Sequence, residues 1–141
     1  MTTTINAVAG TGLTQTSDGS GIVKLQSNGV ATNALAWVNF NGSGAASIRA
    51  SYNVSSVTYN GTGDYTVNIT TALADINYVP VVTTRPASTG WASTQVRLFS
   101  SYSGSIATQA PTTSAFRFTT PVQGSSNAID SDYVCIAVFG N

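Results

Sequence analysis

Asn60-Gly-Thr-Gly-Asp-Tyr-Thr-Val-Asn-Ile-Thr70 decides the fold class. From Asp64 onward the residues alternate: Tyr65, Val67 and Ile69 fall on one side, and Thr66, Asn68 and Thr70 on the other. A period of two with a wet side and a dry side describes a half-buried antiparallel strand. Asn60-Gly61, between Tyr59 and Tyr65, adds a hairpin signal, because both residues tolerate positive φ. Working outward, Thr94-Gln-Val-Arg-Leu-Phe-Ser100 alternates in the same way, and Ala115-Phe-Arg-Phe-Thr119 sets Phe116 and Phe118 opposite Arg117. Leu35-Ala-Trp-Val-Asn-Phe40 and Tyr133-Val-Cys-Ile-Ala-Val-Phe139 are apolar on both sides and read as more buried strands, with Trp37 and Cys135 in the core. Gly, Pro and Asn clusters at 41–44, 60–63, 85–90 and 121–126 supply the turns. Thr70–Asp75 is a turn at most rather than a helix. The expected fold is all-β, an antiparallel β-sandwich or jelly-roll-like domain over residues 34–141.

Composition narrows function by exclusion. The 141 residues include 42% hydrophobic but only 7% charged, with formal net charge zero and no His. A typical soluble domain carries about 25% charged residues. Five scattered Lys and Arg form no basic patch, so nucleic-acid binding is not expected. No apolar run approaches the ~20 residues of a membrane helix, and the N-terminus carries no secretory pattern. Ser, Thr, Asn and Gly hydrate the surface instead, and an uncharged surface favours association.

The search for chemistry ends without an active site, and no cofactor is expected. Acid–base catalysis needs a His or two carboxyls with separated pKa values, yet the acids are five Asp and no Glu. Asp64 and Asp75 flank turns, where an Asp caps backbone N–H groups. Asp130-Ser-Asp132 resembles the start of a calcium loop but lacks the further ligands and the distal Glu, so no metal site is expected. Gly10-Thr-Gly12 and Gly19-Ser-Gly21 lack the spacing and the following helix of a phosphate loop. Trp91, with Arg97 and Tyr102 near it in sequence, is the candidate for a glycan or protein contact.

Residues 1–33 differ in character: Gly-broken, short of aromatics, with one short strand expected at Ile22–Leu25. They read as an N-terminal arm. Its apolar side chains Ile5, Val8, Leu13, Ile22, Val23 and Leu25 need cover from the domain, a sister subunit or a larger assembly.

Ala36-Trp-Val-Asn-Phe-Asn-Gly-Ser-Gly44, Ile48–Val57 and Asn60–Ala72, preceded by Gly12–Gly29, resemble a module of tailed-bacteriophage virion proteins, common in phages of cyanobacteria and marine bacteria. The resemblance covers about Gly10 to Tyr78, and Val79–Asn141 match only loosely. It implies a non-enzymatic, β-structured virion component, assembled in the host cytoplasm and homotrimeric. Family members are often long fibres, whereas an arm of about thirty residues reaches ~100 Å at most. A capsid decoration (cement) protein that clamps the major capsid protein through its arm is therefore expected first. The alternatives are a short tail fibre or baseplate tip that binds a host-surface glycan, and a free lectin-like module.

Overall fold

The computed structural model describes residues 25–27, 30–87, 95–103, 106–123 and 127–140. Among the described residues twelve strands run in chain order: β1 (Gln26–Ser27), β2 (Val30–Ala31), β3 (Ala36–Asn41), β4 (Ser47–Tyr52), β5 (Val54–Gly61), β6 (Asp64–Ile69), β7 (Val79–Pro86), β8 (Arg97–Leu98), β9 (Ser100–Tyr102), β10 (Ile106–Thr108), β11 (Ala115–Thr119) and β12 (Ser131–Phe139). No helix occurs among the described residues. One antiparallel sheet has the order β4-β3-β12-β7 and a second the order β5-β6-β11-β8, while β1–β2 and β9–β10 form small hairpins.

The alternation read from the sequence sets which side chains meet between the sheets. Tyr65, Val67 and Ile69 of β6 point inward with Phe116 and Phe118 of β11, and from the other sheet come Ala36, Val38 and Phe40 of β3 with Val134, Ile136 and Val138 of β12. Phe40 meets Tyr65 edge-on at 5.5 Å and Phe118 at 6.5 Å, so the rings of both sheets interlock across the sandwich. Each such buried aromatic or branched side chain contributes about 1.5–3 kcal/mol.

Two glycines permit the close approach at one end. A Cβ on Gly42 would lie 2.7 Å from the Tyr65 hydroxyl. Gly63 has φ +63°, and its Cβ would lie 2.7 Å from the Ile129 carbonyl oxygen. The β5–β6 hairpin therefore turns through Thr62-Gly63, with Gly61 opposite Asp64, just beyond the Asn60-Gly61 pair the sequence singles out. At the β4–β5 corner, where the chain changes sheets, Asn53 takes φ +53°. Its amide donates to the carbonyls of Leu35 and Thr71, and its Oδ1 accepts the Thr71 N–H at 2.8 Å. These bonds hold a conformation that Asn tolerates better than most residues.

Three expectations from the sequence need correction. Trp37 is not in the core: it is 40% exposed, because it shares strand parity with Asn39 and Asn41 rather than with Val38 and Phe40. Cys135 is exposed for the same reason, with its Sγ accepting a hydrogen bond from Asn39 Nδ2 at 3.0 Å. The strand expected over Thr94–Ser100, of which Thr94 lies outside the described residues, is broken: Arg97–Leu98 form β8 and Ser100 begins β9, because Phe99 between them adopts φ +53°. β12 lies inside its sheet, between β3 and β7. Of the arm, residues 1–24 lie outside the described residues, and the first described strand starts at Gln26.

Candidate interaction face

The two sheets turn opposite kinds of surface to the outside. On the β5-β6-β11-β8 sheet the outward row Ser56–Asn68–Ala115 lies beside the row Thr58–Thr66–Arg117. Asn68 Nδ2 donates to Ser56 Oγ and Thr58 Oγ1, both at 3.0 Å, and Asn60 Nδ2 donates to Thr66 Oγ1 at 2.9 Å. Hydroxyls and amides thus satisfy one another along the sheet. Beside them Asp64 is fully buried and accepts two bonds from Arg117, Nε–Oδ1 at 2.7 Å and Nη2–Oδ2 at 2.8 Å. The backbone N–H of Tyr102 closes the same carboxylate at 2.6 Å. That bond pins β9 over the sheet, where Ser100 Oγ and Thr119 Oγ1 pair at 2.9 Å. The Asp64 hydrogen bonds hold the Arg117 guanidinium above its ordinary pKa. A cavity of about 190 Å³ opens on this side, lined by Thr66, Gln109, Thr112 and Arg117 among others.

The β4-β3-β12-β7 sheet does the reverse. Tyr52, Trp37, Ala137 and Val81 stand in register on its outward side, a row that crosses all four strands. Phe139 and Val79 pair in the next row. Val79 and Val81 are 59% and 52% exposed, and Tyr133 and Phe139 are 42% and 37% exposed. Asn39, Cys135 and Thr83 form a middle row. At the far end the guanidinium groups of Arg49 and Arg85 lie 4.1 and 4.7 Å from the centre of the Tyr133 ring. Arg85 binds Asp132 with two bonds, at 2.9 and 2.7 Å, and Arg49 donates to the Asp132 carbonyl at 2.7 Å. The Arg85 bonds lower the Asp132 pKa below the usual carboxylate range. This sheet thus carries apolar side chains on both sides, one in the core and one exposed.

The aspartates fill structural posts. Asp130 gathers one end of the sandwich: its carboxylate accepts the N–H groups of Gly63 at 2.8 Å and Gly44 at 3.2 Å, and the Tyr59 hydroxyl lies 3.3 Å away. Donors surround it, as befits a clasp rather than a cation ligand. Tyr65, buried under it, has its hydroxyl 3.1 Å from the Gly42 carbonyl and accepts the Ser131 N–H at 3.2 Å; burial raises its pKa. Asp75 accepts the Asn77 N–H across a turn, as its sequence context predicts. Asp64, expected to cap a turn, is instead the buried partner of Arg117. Among the described residues no three His, Cys, Asp or Glu side chains cluster to hold a metal ion, and no helix is long and apolar enough to cross a membrane.

Of the contact residues expected from the sequence, Ile5, Val8, Leu13, Ile22, Val23 and Trp91 lie outside the described residues. Leu25 is 53% exposed, with its carbonyl accepting the Thr32 N–H. Arg97 and Tyr102 reach the same corner of the polar sheet. Arg97 pairs in register with Thr119, and Tyr102 donates to Asp64, itself opposite Thr119. The apolar face was missed by the sequence reading. Its signal is the parity of three segments: Trp37-Asn39-Asn41, Val79-Val81-Thr83-Arg85 and Tyr133-Cys135-Ala137-Phe139 each occupy one side of a strand.

Comparison with protein-family models finds no match to the chain. Comparison with curated proteins and with solved structures finds none either.

Proposed function

We propose that this chain is a non-enzymatic structural protein of a tailed-phage virion. In this reading it is a capsid decoration (cement) protein that works as a homotrimer and holds the major capsid protein through its N-terminal arm. The observation that carries the reading is the outward face of Trp37, Val79, Val81, Tyr133 and Phe139, a surface fit for assembly on a chain with almost no charge. The resemblance of Ala36–Gly44 and Asn60–Ala72 to phage virion modules supplies the setting. The described aspartates support a structural role, since each is engaged by the fold's own donors. A protein that binds only the assembled state stabilises that state by mass action.

The test is the copy number of this chain in purified particles relative to the major capsid protein. Near-equal numbers are expected. A few copies, in a small multiple of three, would move the protein to the tail or baseplate, with glycan contact through Trp91, Arg97 and Tyr102. Absence from particles together with glycan binding by the free protein would make it a lectin-like module. Deleting Met1–Leu25 is expected to abolish particle binding and leave the sandwich folded; undiminished binding would remove the arm from the proposal.

A further inference from the structure

We infer that the outward face of the β4-β3-β12-β7 sheet is covered by a second copy of this chain. The inference deepens the assembly part of the reading above and needs no virion. Four features of the face point to its own kind as the occupant.

The first is charge. The apolar rows Tyr52–Trp37–Ala137–Val81 and Phe139–Val79 contain no ionisable group that is charged at neutral pH, and the chain as a whole has net charge zero. The apolar rows of two copies therefore meet without like-charge repulsion when the Arg49, Arg85 and Asp132 ends lie apart. A second feature is that the charged groups at the other end are tied to one another. Asp132 is held by Arg85 and Arg49, both guanidinium groups lie on Tyr133, and Asn39 bonds Cys135. These groups form a partly wet rim, and the apolar rows form the part of the face that a second copy covers.

Relief along the central row is the third feature. Trp37 and Tyr52 stand side by side, and the small Ala137 stands in register between Trp37 and Val81. In the inferred contact the indole of one copy lies over the Ala137 of the next. The fit works reciprocally in a pair or head-to-tail around a closed ring. The fourth is extent. Four strands ~4.8 Å apart, six to nine residues long at ~3.3 Å per residue, make a face of about 400 Å² in projection. Side chains raise its accessible area toward the ~800 Å² that one partner gives to a stable complex.

The chain carries its own reporter, because its one cysteine, Cys135, sits in the middle row of this face. Light scattering of the full chain is expected to give a multimer at about 50 μM, above the micromolar limit of such interfaces. Cys135 in that multimer should react with a maleimide about tenfold or more slowly than an open thiol. Val81→Glu is expected to give a folded monomer with a fast thiol, whereas Thr58→Glu on the polar sheet leaves the multimer and its slow thiol unchanged. A monomeric wild-type chain overturns the inference. In that case a slow thiol would show that the chain's own residues cover the face, and a fast one that the face is open. A Val81→Glu chain that stays multimeric with a protected thiol overturns it too. Should Val81→Glu fail to fold, dilution of the unaltered chain decides: labelling that quickens on dilution supports a second copy, and labelling indifferent to dilution overturns it. A self-associating chain absent from particles would sink the virion reading alone, and a monomer abundant on particles would sink this inference and the homotrimer while leaving the virion reading.

Discussion

The two sheets of this sandwich share an architecture and differ in what they turn outward. Both have four antiparallel strands, and both send Val, Ile and Phe to the common core. Outside, the β5-β6-β11-β8 sheet carries Ser56, Thr58, Thr66 and Asn68 in a hydrogen-bonded ladder beside the Asp64–Arg117 pair. The β4-β3-β12-β7 sheet carries Trp37, Val79, Val81 and Phe139 in the open. Folding the single chain needs only the inner side chains, so the outer ones report what each sheet meets afterwards. One sheet is finished by water and by its own polar network. The other is left with apolar area that folding has not used.

The largest effect should come from the finished side. Asp64→Ala leaves the Arg117 guanidinium and the Tyr102 N–H without their acceptor. Breaking a buried ion pair costs about 3–5 kcal/mol, and because the Arg117 side chain is 26% exposed the low end is expected. Denaturant unfolding of Asp64→Ala checks this, and a loss below about 1 kcal/mol would show that the pair is dispensable and the comparison overdrawn. Tyr65→Phe, which takes a hydroxyl from the clasp between the sheets, should cost about 1–3 kcal/mol by the same measurement.

Tyrosine ionisation should trim stability more gently. Burial pushes the Tyr78 pKa from 10.0 up to about 12 and raises that of Tyr65 as well. The folded state thus holds the neutral phenols. Their contribution is complete below pH 10 and declines as pH rises through 10 towards 12. Denaturation midpoints at pH 8, 10 and 11.5 should fall in that order, and Tyr78→Phe should flatten the decline. Asp132 on the apolar face acts in the opposite sense. Its pKa is lowered by Arg85, so its contribution is present above the ordinary value of 3.8 and is lost as pH falls through the lower, folded value. Arg85→Ala should remove this exposed pair's small part of the acid limb.

The smallest stability effects belong to the open face. Trp37→Ala, Val79→Ser and Val81→Ser, measured on dilute protein, should stay within about 0.5 kcal/mol of the parent while they weaken self-association. Losses of core size at these positions would mean that the face is structural after all, and the contrast between the sheets would fail.

How far the sequence carried the argument follows from the physics of alternation. Asp64–Thr70 and Ala115–Thr119 were legible because polar and apolar residues mark the two sides of each strand. Trp37 and Cys135 were misread because their strands are apolar on both sides, and composition cannot then tell core from open surface. Only the pairing partners fix the parity. Asp64 looked like a turn cap because its partner, Arg117, lies 53 positions away, a separation no local pattern reveals. Phe99 ended a well-alternating segment through a positive φ that no bulky residue advertises. The Asp130 clasp was hidden in the same way: it draws together Gly44, Tyr59 and Gly63, each from a different distance along the chain.

The place of β12 governs how this protein must be made. The last strand in sequence is an inner strand of its sheet, with Trp37 set against Ala137 and Val81 against the same residue from the other side. Until β12 has been translated, β3 and β7 have no strand between them, and Val38, Phe40 and Val82 lack the Val134, Ile136 and Val138 that stand beside them in the finished core. The sandwich cannot close until residues 131–139 emerge. Pairings of such long range form slowly and leave apolar strands open to neighbouring nascent chains in the meantime. A chain cut short before Ser131 therefore lacks the strand that joins β3 to β7 and cannot complete this sheet.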